Sequence, residues 1–110
     1  GLADPNAAHD VDIEAAPLDK ISADLLQVRI PEGSMLSGVR VRELRMPRNA
    51  VVSLVIREGH SFAPHGDTRL RTDDELLIVT PEHHRAEVER RLTEIGRAGR
   101  MARWYGSQTD

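Results

Sequence analysis

The sequence contains no cysteine, which excludes disulfides, thiolate catalysis and cysteine-ligated zinc, and fits a reducing compartment. It has only three aromatic residues, Phe62, Trp104 and Tyr105, so its interior must be built from Leu, Ile and Val. Long apolar runs are also missing: the run at residues 76–79 falls far short of the roughly 20 residues that a membrane helix needs. We therefore expect a cytoplasmic domain whose connection to a membrane, if it has one, is made by another segment.

The net charge of the chain is −3, which argues against a nucleic-acid-binding protein that depends on a basic surface. Acidic residues dominate the first 24 residues, whereas arginines are concentrated in the last quarter of the chain. We interpret residues 1–22 as a linker, residues 23–95 as one folded domain and residues 96–110 as an Arg-rich C-terminal tail. A single small core seldom supplies more than about 3–5 kcal/mol, so we expect assembly with a second copy or a larger protein.

The first half of the domain has the pattern of two strands separated by a short helix. Alternating apolar residues predict a strand over residues 26–30 that stops at the turn of residues 31–34. Near-helical apolar spacing over residues 36–44 predicts a helix of one or two turns that ends before Pro47. The run at residues 51–56 is apolar on both faces, which predicts a strand in the middle of a sheet covered on each side.

The second half predicts a hairpin, a further strand and a C-terminal helix. Gly59 allows the turn of the hairpin, and Pro64 ends its pairing. Residues 68–70 are predicted to form a short edge strand and residues 75–80 a longer one. Thr80, Pro81 and Glu82 form a helix-start pattern of hydroxyl N-cap, first-turn proline and carboxylate. The helix should be about 15–20 residues long and bury the stripe of Val88, Leu92 and Ile95.

Several short motifs follow one another along the chain, each occurring once: Pro31-Glu32-Gly33-Ser34, Leu36-x-Gly38, Arg42-Glu43-Leu44, residues 51–57, Gly59, Pro64-x-Gly66-Asp67 and residues 74–79. As a set, covering residues 25–92, they resemble the TrkA-C (RCK-C) family. Asp73 departs from the family pattern, which usually has glycine at that position. The resemblance implies an α+β domain with a small mixed or antiparallel β-sheet, a short helix and a C-terminal helix.

The family resemblance also implies a function. Such domains are regulatory and not enzymes, follow a membrane transporter or a nucleotide-binding subunit, form homodimers, and in several members bind cyclic di-AMP between protomers. The tail motif Arg103-Trp104-Tyr105-Gly106 resembles the tail of bacterial potassium/proton antiporters. We therefore expect a cytoplasmic regulatory domain attached to a membrane transporter. A ligand-free oligomerisation module and an effector domain of a transcription regulator are the alternatives.

The candidate ligand residues lie mostly between residues 39 and 52. Arg45 or Arg48 offers a bidentate phosphate contact, Asn49 and backbone amides could read adenine edges, and the following residues are apolar. Aligned with the family, several positions match ligand contacts of cyclic di-AMP binders, although Glu58 stands where some binders have histidine. The full candidate set is Val39, Glu43, Leu44, Arg45, Arg48, Asn49, Ala50, Val51, Val52, His60 and Pro64. The competing interpretation is that the arginines form a solvated surface and the valines are core.

Other chemistries are poorly supported by the sequence. The spacing of the histidines, with His83 and His84 diverging on a helix, does not bring three metal ligands together. No serine lies in a nucleophile-elbow motif, residues 73–75 have the pattern of a hydrated turn, and glycine-rich phosphate loops are missing, so neither catalysis nor a cofactor is expected. The Arg-rich tail fits either a frayed basic helix end or a segment that docks on an anionic membrane or a transporter.

Overall fold

A computed structural model of the chain describes residues 11–99. Four strands form its sheet, and a 14-residue helix follows them. The elements are β1 (Ala23–Arg29), β2 (Val51–Arg57), β3 (His60–Phe62), β4 (Glu75–Pro81) and α1 (Arg85–Ala98), with 3-10 helices at Leu18–Ile21, Val41–Leu44 and Glu82–His84. Residues 1–10 and 100–110, including the Trp104-Tyr105 motif, lie outside the described residues.

The four strands form one antiparallel sheet in the order β1-β4-β2-β3. The predicted α+β class is therefore confirmed, as is the interior position of β2. The predicted edge strand at residues 68–70 is only an isolated bridge between Arg69 and Arg40. Leu70 is buried, but the loop there is too short to form a ladder of paired residues.

A β-bulge in β2 decides which of its apolar residues reach the core. Val52 pairs with Ile78 and Leu54 with Leu77, so β2 advances two residues where β4 advances one. Ser53 is the extra residue, and its hydroxyl donates to the Leu77 carbonyl at 2.8 Å. The bulge brings Val52 and Val55 to the same face of the sheet, where both are buried.

The two faces of the sheet differ in cover. One face packs against α1 through Val88, Leu92 and Ile95, as the apolar stripe predicted. On the other face Leu25 is 44% and Val51 is 53% exposed. The expectation that β2 is covered on each side was therefore wrong, because within residues 11–99 the helix lies on one face only.

The helix start was predicted too early. Thr80 is fully buried and pairs with Asp24 of β1, so the ladder keeps the chain extended through Pro81. The Thr80 hydroxyl donates to the Pro81 carbonyl at 3.1 Å and caps no helix. One 3-10 turn then precedes Arg85, where α1 begins. Pairing with β1, which the local sequence does not show, overrides the helix-start signal.

The predicted hydrated turn at residues 73–75 contains a buried carboxylate, that of Asp74, which is paired with the partly exposed Arg57. Asp74 is 1% exposed, and its two carboxylate oxygens accept from Arg57 Nε at 2.9 Å and Nη2 at 2.8 Å. The Arg71 amide adds a third bond at 2.9 Å. Burial by itself would raise the pKa of Asp74, but these hydrogen bonds and the charge of Arg57 outweigh it, so the pKa lies below its ordinary value.

We expect this lowered pKa to make the fold sensitive to acid. The contribution of ionised Asp74 is present above the unfolded-state pKa of about 4 and is lost as the pH falls through the lower folded-state pKa. Asp74→Asn should lower the free energy of unfolding at pH 7 by about 2–3 kcal/mol and flatten its decline in acid. Denaturant unfolding from pH 7 to pH 2 measures both effects.

The matched control is Asp73→Asn, since Asp73 is adjacent but exposed and pairs with Arg29 at 3.3 Å on the surface. An Asp74→Asn protein with the acid profile of the Asp73→Asn protein would show that the buried pair does not stabilise the fold.

Candidate ligand site

The residues that carry the predicted phosphate and adenine contacts connect the 3-10 helix Val41–Leu44 to β2; we call residues 45–51 the 45–51 segment. Two of its residues, Arg45 (φ 50°) and Asn49 (φ 69°), have positive φ, which folds the segment back on itself. The Ala50 amide donates to the Pro47 carbonyl at 3.0 Å and closes its central turn. The side chains of Arg45, Arg48 and Asn49 are exposed. Two cations and an amide are thus presented together on one short segment.

Two side chains from the C-terminal part of the chain hold the backbone of this region. Arg91 Nε donates to the Leu44 carbonyl at 3.0 Å, and His84 Nδ1 lies 2.9 Å from the Arg48 carbonyl. A carbonyl can only accept, so Nδ1 of His84 carries the proton. Neither contact was predicted, because the partners are 47 and 36 residues apart and no local pattern links them. The one available signal was the arginine at position 91 within the apolar stripe of α1.

The region is electrostatically positive. Arg91 is 1% exposed, and its burial lowers its pKa, as does the nearby charge of Arg45, while Glu94 acts in the opposite direction. The like charges of Arg45 and Arg91 therefore repel each other. An anion bound at Arg45 would reduce this repulsion.

Three of the candidate residues belong to the core of the described chain. Val39, Leu44 and Val52 are 3%, 0% and 6% exposed. Val39 borders a shallow groove of about 290 Å³ whose other lining residues include Met35, Arg69 and Gly99, but none of the 45–51 segment. In this conformation the side chains of these three residues are buried in the core.

The remaining candidates are distributed around the sheet. Glu43 accepts from the Arg40 amide through Oε1 at 2.8 Å and so closes the start of the short helix. Pro64 lies two residues before Gly66, whose carbonyl accepts from the Arg42 amide at 3.0 Å, which brings its loop to the same helix. His60 pairs with Arg57 at the far end of β2 from Val51. Val51 and Arg57 are six positions apart along β2, which is roughly 20 Å. His60 and the 45–51 segment of one chain are therefore not brought together.

Within residues 11–99, no group of three or more histidine or acidic side chains is placed to hold a metal ion. The same range contains no helix with the length and hydropathy to cross a bilayer.

A family model, the TrkA-C domain, matches residues 25–93. The chain belongs to the TrkA-C domain family. All eleven candidate residues lie inside the matched range. The family consists of regulatory domains and is not an enzyme family. Asp73, where the family usually has glycine, has a φ of 72°, which explains why glycine suits that position.

The TrkA-C domain is similar to parts of longer curated proteins. It is 32% identical over 68 residues to a Trk system potassium uptake protein TrkA homolog of Archaeoglobus fulgidus, covering 62% of this chain and 16% of that protein. It is 31% identical over 70 residues to the Trk system potassium uptake protein TrkA of Mycobacterium tuberculosis, covering 64% and 32%. A solved structure of an RCK domain with cda is 24% identical, covers 62% of this chain and 96% of its own, and has a TM-score of 0.48. The chain thus spans a third or less of the relatives named for potassium uptake.

Proposed function

We propose that this TrkA-C domain is a cytosolic sensor that binds cyclic di-AMP at a two-fold interface and thereby regulates a potassium/proton antiporter. The observation that carries the proposal is the 45–51 segment, in which two exposed arginines and the exposed apolar residue Val51 belong to one stretch of seven residues. Cyclic di-AMP combines two phosphates with two apolar purine faces. A surface that offers both kinds of contact within one short segment matches this chemistry.

Each half of the ligand would meet one protomer. Arg45 or Arg48 would hold a phosphate through paired N–H donors, since the guanidinium fork matches the spacing of two phosphate oxygens. Asn49 would donate and accept at an adenine edge, and Ala50 and Val51 would cover the purine face. Because the ligand is two-fold symmetric, two copies of the same half-site suffice.

The open face of the sheet, meaning the face opposite α1, supports the dimer. Its apolar residues include exposed and half-buried members: Leu25, Val51, Leu54, Ile56, Leu77 and Val79. An aliphatic face of this kind is stabilised when a second copy removes it from water. Val51 belongs to both the open face and the 45–51 segment, so a ligand at the dyad would lie at the margin of this interface.

The antiporter context comes from the resemblance of the tail, and the cytoplasmic location comes from the composition and the family. Regulation would follow from linkage: a ligand that contacts both protomers favours the dimer geometry for which it has the higher affinity. The attached transporter would respond to that geometry.

A ligand-free oligomerisation module is the second candidate. The burial of Val39, Leu44 and Val52 favours it, because these positions are then explained by the core alone. Under this alternative the open face still dimerises, but nucleotide has no effect.

Calorimetric titration of the 110-residue protein with cyclic di-AMP tests the sensing proposal. We expect saturable binding. Arg45→Ala should weaken this binding by about 1.5–3 kcal/mol, the range typical of a charged hydrogen bond. This loss corresponds to a Kd that is roughly 10- to 150-fold higher. The matched control is Arg97→Ala, an exposed arginine of α1 on the other side of the sheet, which should leave Kd unchanged.

The outcomes separate the alternatives. If titration with millimolar ligand gives no heat of binding and no thermal shift, the sensing function is refuted and the oligomerisation module remains. Binding that Arg45→Ala does not weaken would transfer the phosphate contact to Arg48.

The dimer is tested by charging the open face. Leu25→Lys places a cation on an apolar face that a second copy would bury, so we expect the protein to become monomeric in sedimentation analysis. Ala86→Lys, on an exposed position of α1 on the other side of the sheet, serves as the control and should leave the dimer intact. A wild-type protein that sediments as a monomer at 100 µM, roughly the upper end of useful concentrations, would refute this interface.

A further inference from the structure

We propose that Arg91 of α1 is a positioning residue for the ligand site: its hydrogen bond to the Leu44 carbonyl fixes the orientation of Arg45. This inference rests on the proposed nucleotide binding and adds to it a residue outside the 45–51 segment. The geometry that points to it is the 3.0 Å bond from Arg91 Nε to the Leu44 oxygen, made by a side chain that is 1% exposed.

The position of Arg91 on α1 is one that packing alone would assign to an apolar residue. It lies between Val88 and Ile95 on the buried side of the helix, beside Leu92. Burying a guanidinium group carries a desolvation penalty, and well-packed apolar residues often replace buried charges without loss of stability. The core therefore does not require an arginine here, whereas the Leu44 carbonyl gains a donor from one.

The bond acts on Arg45 through the covalent geometry of the backbone. The carbonyl of Leu44 and the amide of Arg45 belong to one planar peptide unit, so a donor that fixes the carbonyl also fixes the position of the Arg45 Cα. Arg45 has φ 50° and ψ 56°, a conformation that is uncommon for a non-glycine residue. With its backbone held, the Arg45 side chain projects from a defined point.

A ligand contact of this kind depends on its support. A phosphate-binding arginine loses affinity when its Cα is free to move, because the free energy of ordering it is then taken from binding. We therefore expect removal of the Arg91 bond to weaken cyclic di-AMP binding even though Arg91 does not contact the ligand.

Two nearly isosteric substitutions isolate the hydrogen bond. In Arg91→Gln, the amide nitrogen lies the same number of bonds from the backbone as Nε, so it can still donate to the Leu44 carbonyl. In Arg91→Met, a methyl group occupies that place and cannot donate. We expect Kd for cyclic di-AMP within about threefold of wild type for Arg91→Gln and at least about tenfold weaker for Arg91→Met. Arg97→Met, on an exposed position of the same helix, should leave Kd unchanged.

A double-mutant cycle with Arg45→Ala distinguishes positioning from a general structural effect. If Arg91 acts through Arg45, Arg45→Ala/Arg91→Met should bind no more than about twofold more weakly than Arg45→Ala alone. Additive losses would overturn the proposal, because they would mean that Arg91 acts independently of Arg45. Equal losses in the Gln and Met variants would overturn it as well, since the charge and not the bond would then matter.

Folding is followed by thermal unfolding of each variant. If Arg91→Met does not fold, Arg91→Lys replaces it: the charge is kept, but the donor lies one atom farther out. We expect this variant to bind more weakly than Arg91→Gln, and the reverse order would refute positioning. A wild-type protein that does not bind cyclic di-AMP would refute the proposed function itself, whereas wild-type binding with unchanged Arg91→Met affinity would refute only this inference.

Discussion

The structure depends on the burial of one aliphatic face of a four-stranded sheet beneath a single helix. Val88, Leu92 and Ile95 of α1 pack on that face, and within residues 11–99 no aromatic side chain is fully buried. Because the core is made from Leu, Ile and Val, it is thin, and one 14-residue helix can cover only one side of the sheet. The open face and the proposed dimer both follow from this constraint.

The β-bulge at Ser53 connects the core to the candidate site. It places Val52 and Val55 in the core and leaves Val51 exposed at the start of β2. The 45–51 segment therefore lies between the buried Leu44 and the buried Val52, and its last residue, Val51, is exposed on the open face of the sheet. A ligand at this segment would contact the surface that a second copy would cover in the proposed dimer, which is the arrangement that regulation by a two-fold ligand requires.

Helix α1 contributes to the core and to the candidate site at once. The same buried side that carries Val88 and Leu92 carries Arg91, whose bond to the Leu44 carbonyl reaches the 45–51 segment. His84, just before the helix, holds the Arg48 carbonyl. A shift of α1 would therefore move the start and the middle of the segment, and binding at the segment would favour one position of the helix. For a ligand bound at the proposed site, these two contacts would provide a physical route to the C-terminal part of the chain.

Local patterns in the sequence determined the strands, the hairpin, the apolar stripe of α1 and the family, because hydrophobic period and turn residues act within a few positions of one another. Only the tertiary structure decided that Thr80 stays in a strand, that Asp74 is buried against Arg57, and that Arg91 holds the Leu44 carbonyl. The partners in each of these contacts are 17 to 56 residues apart, counting Asp24 to Thr80 as the longest separation. Such contacts depend on how the elements pack, and local propensity does not contain that information.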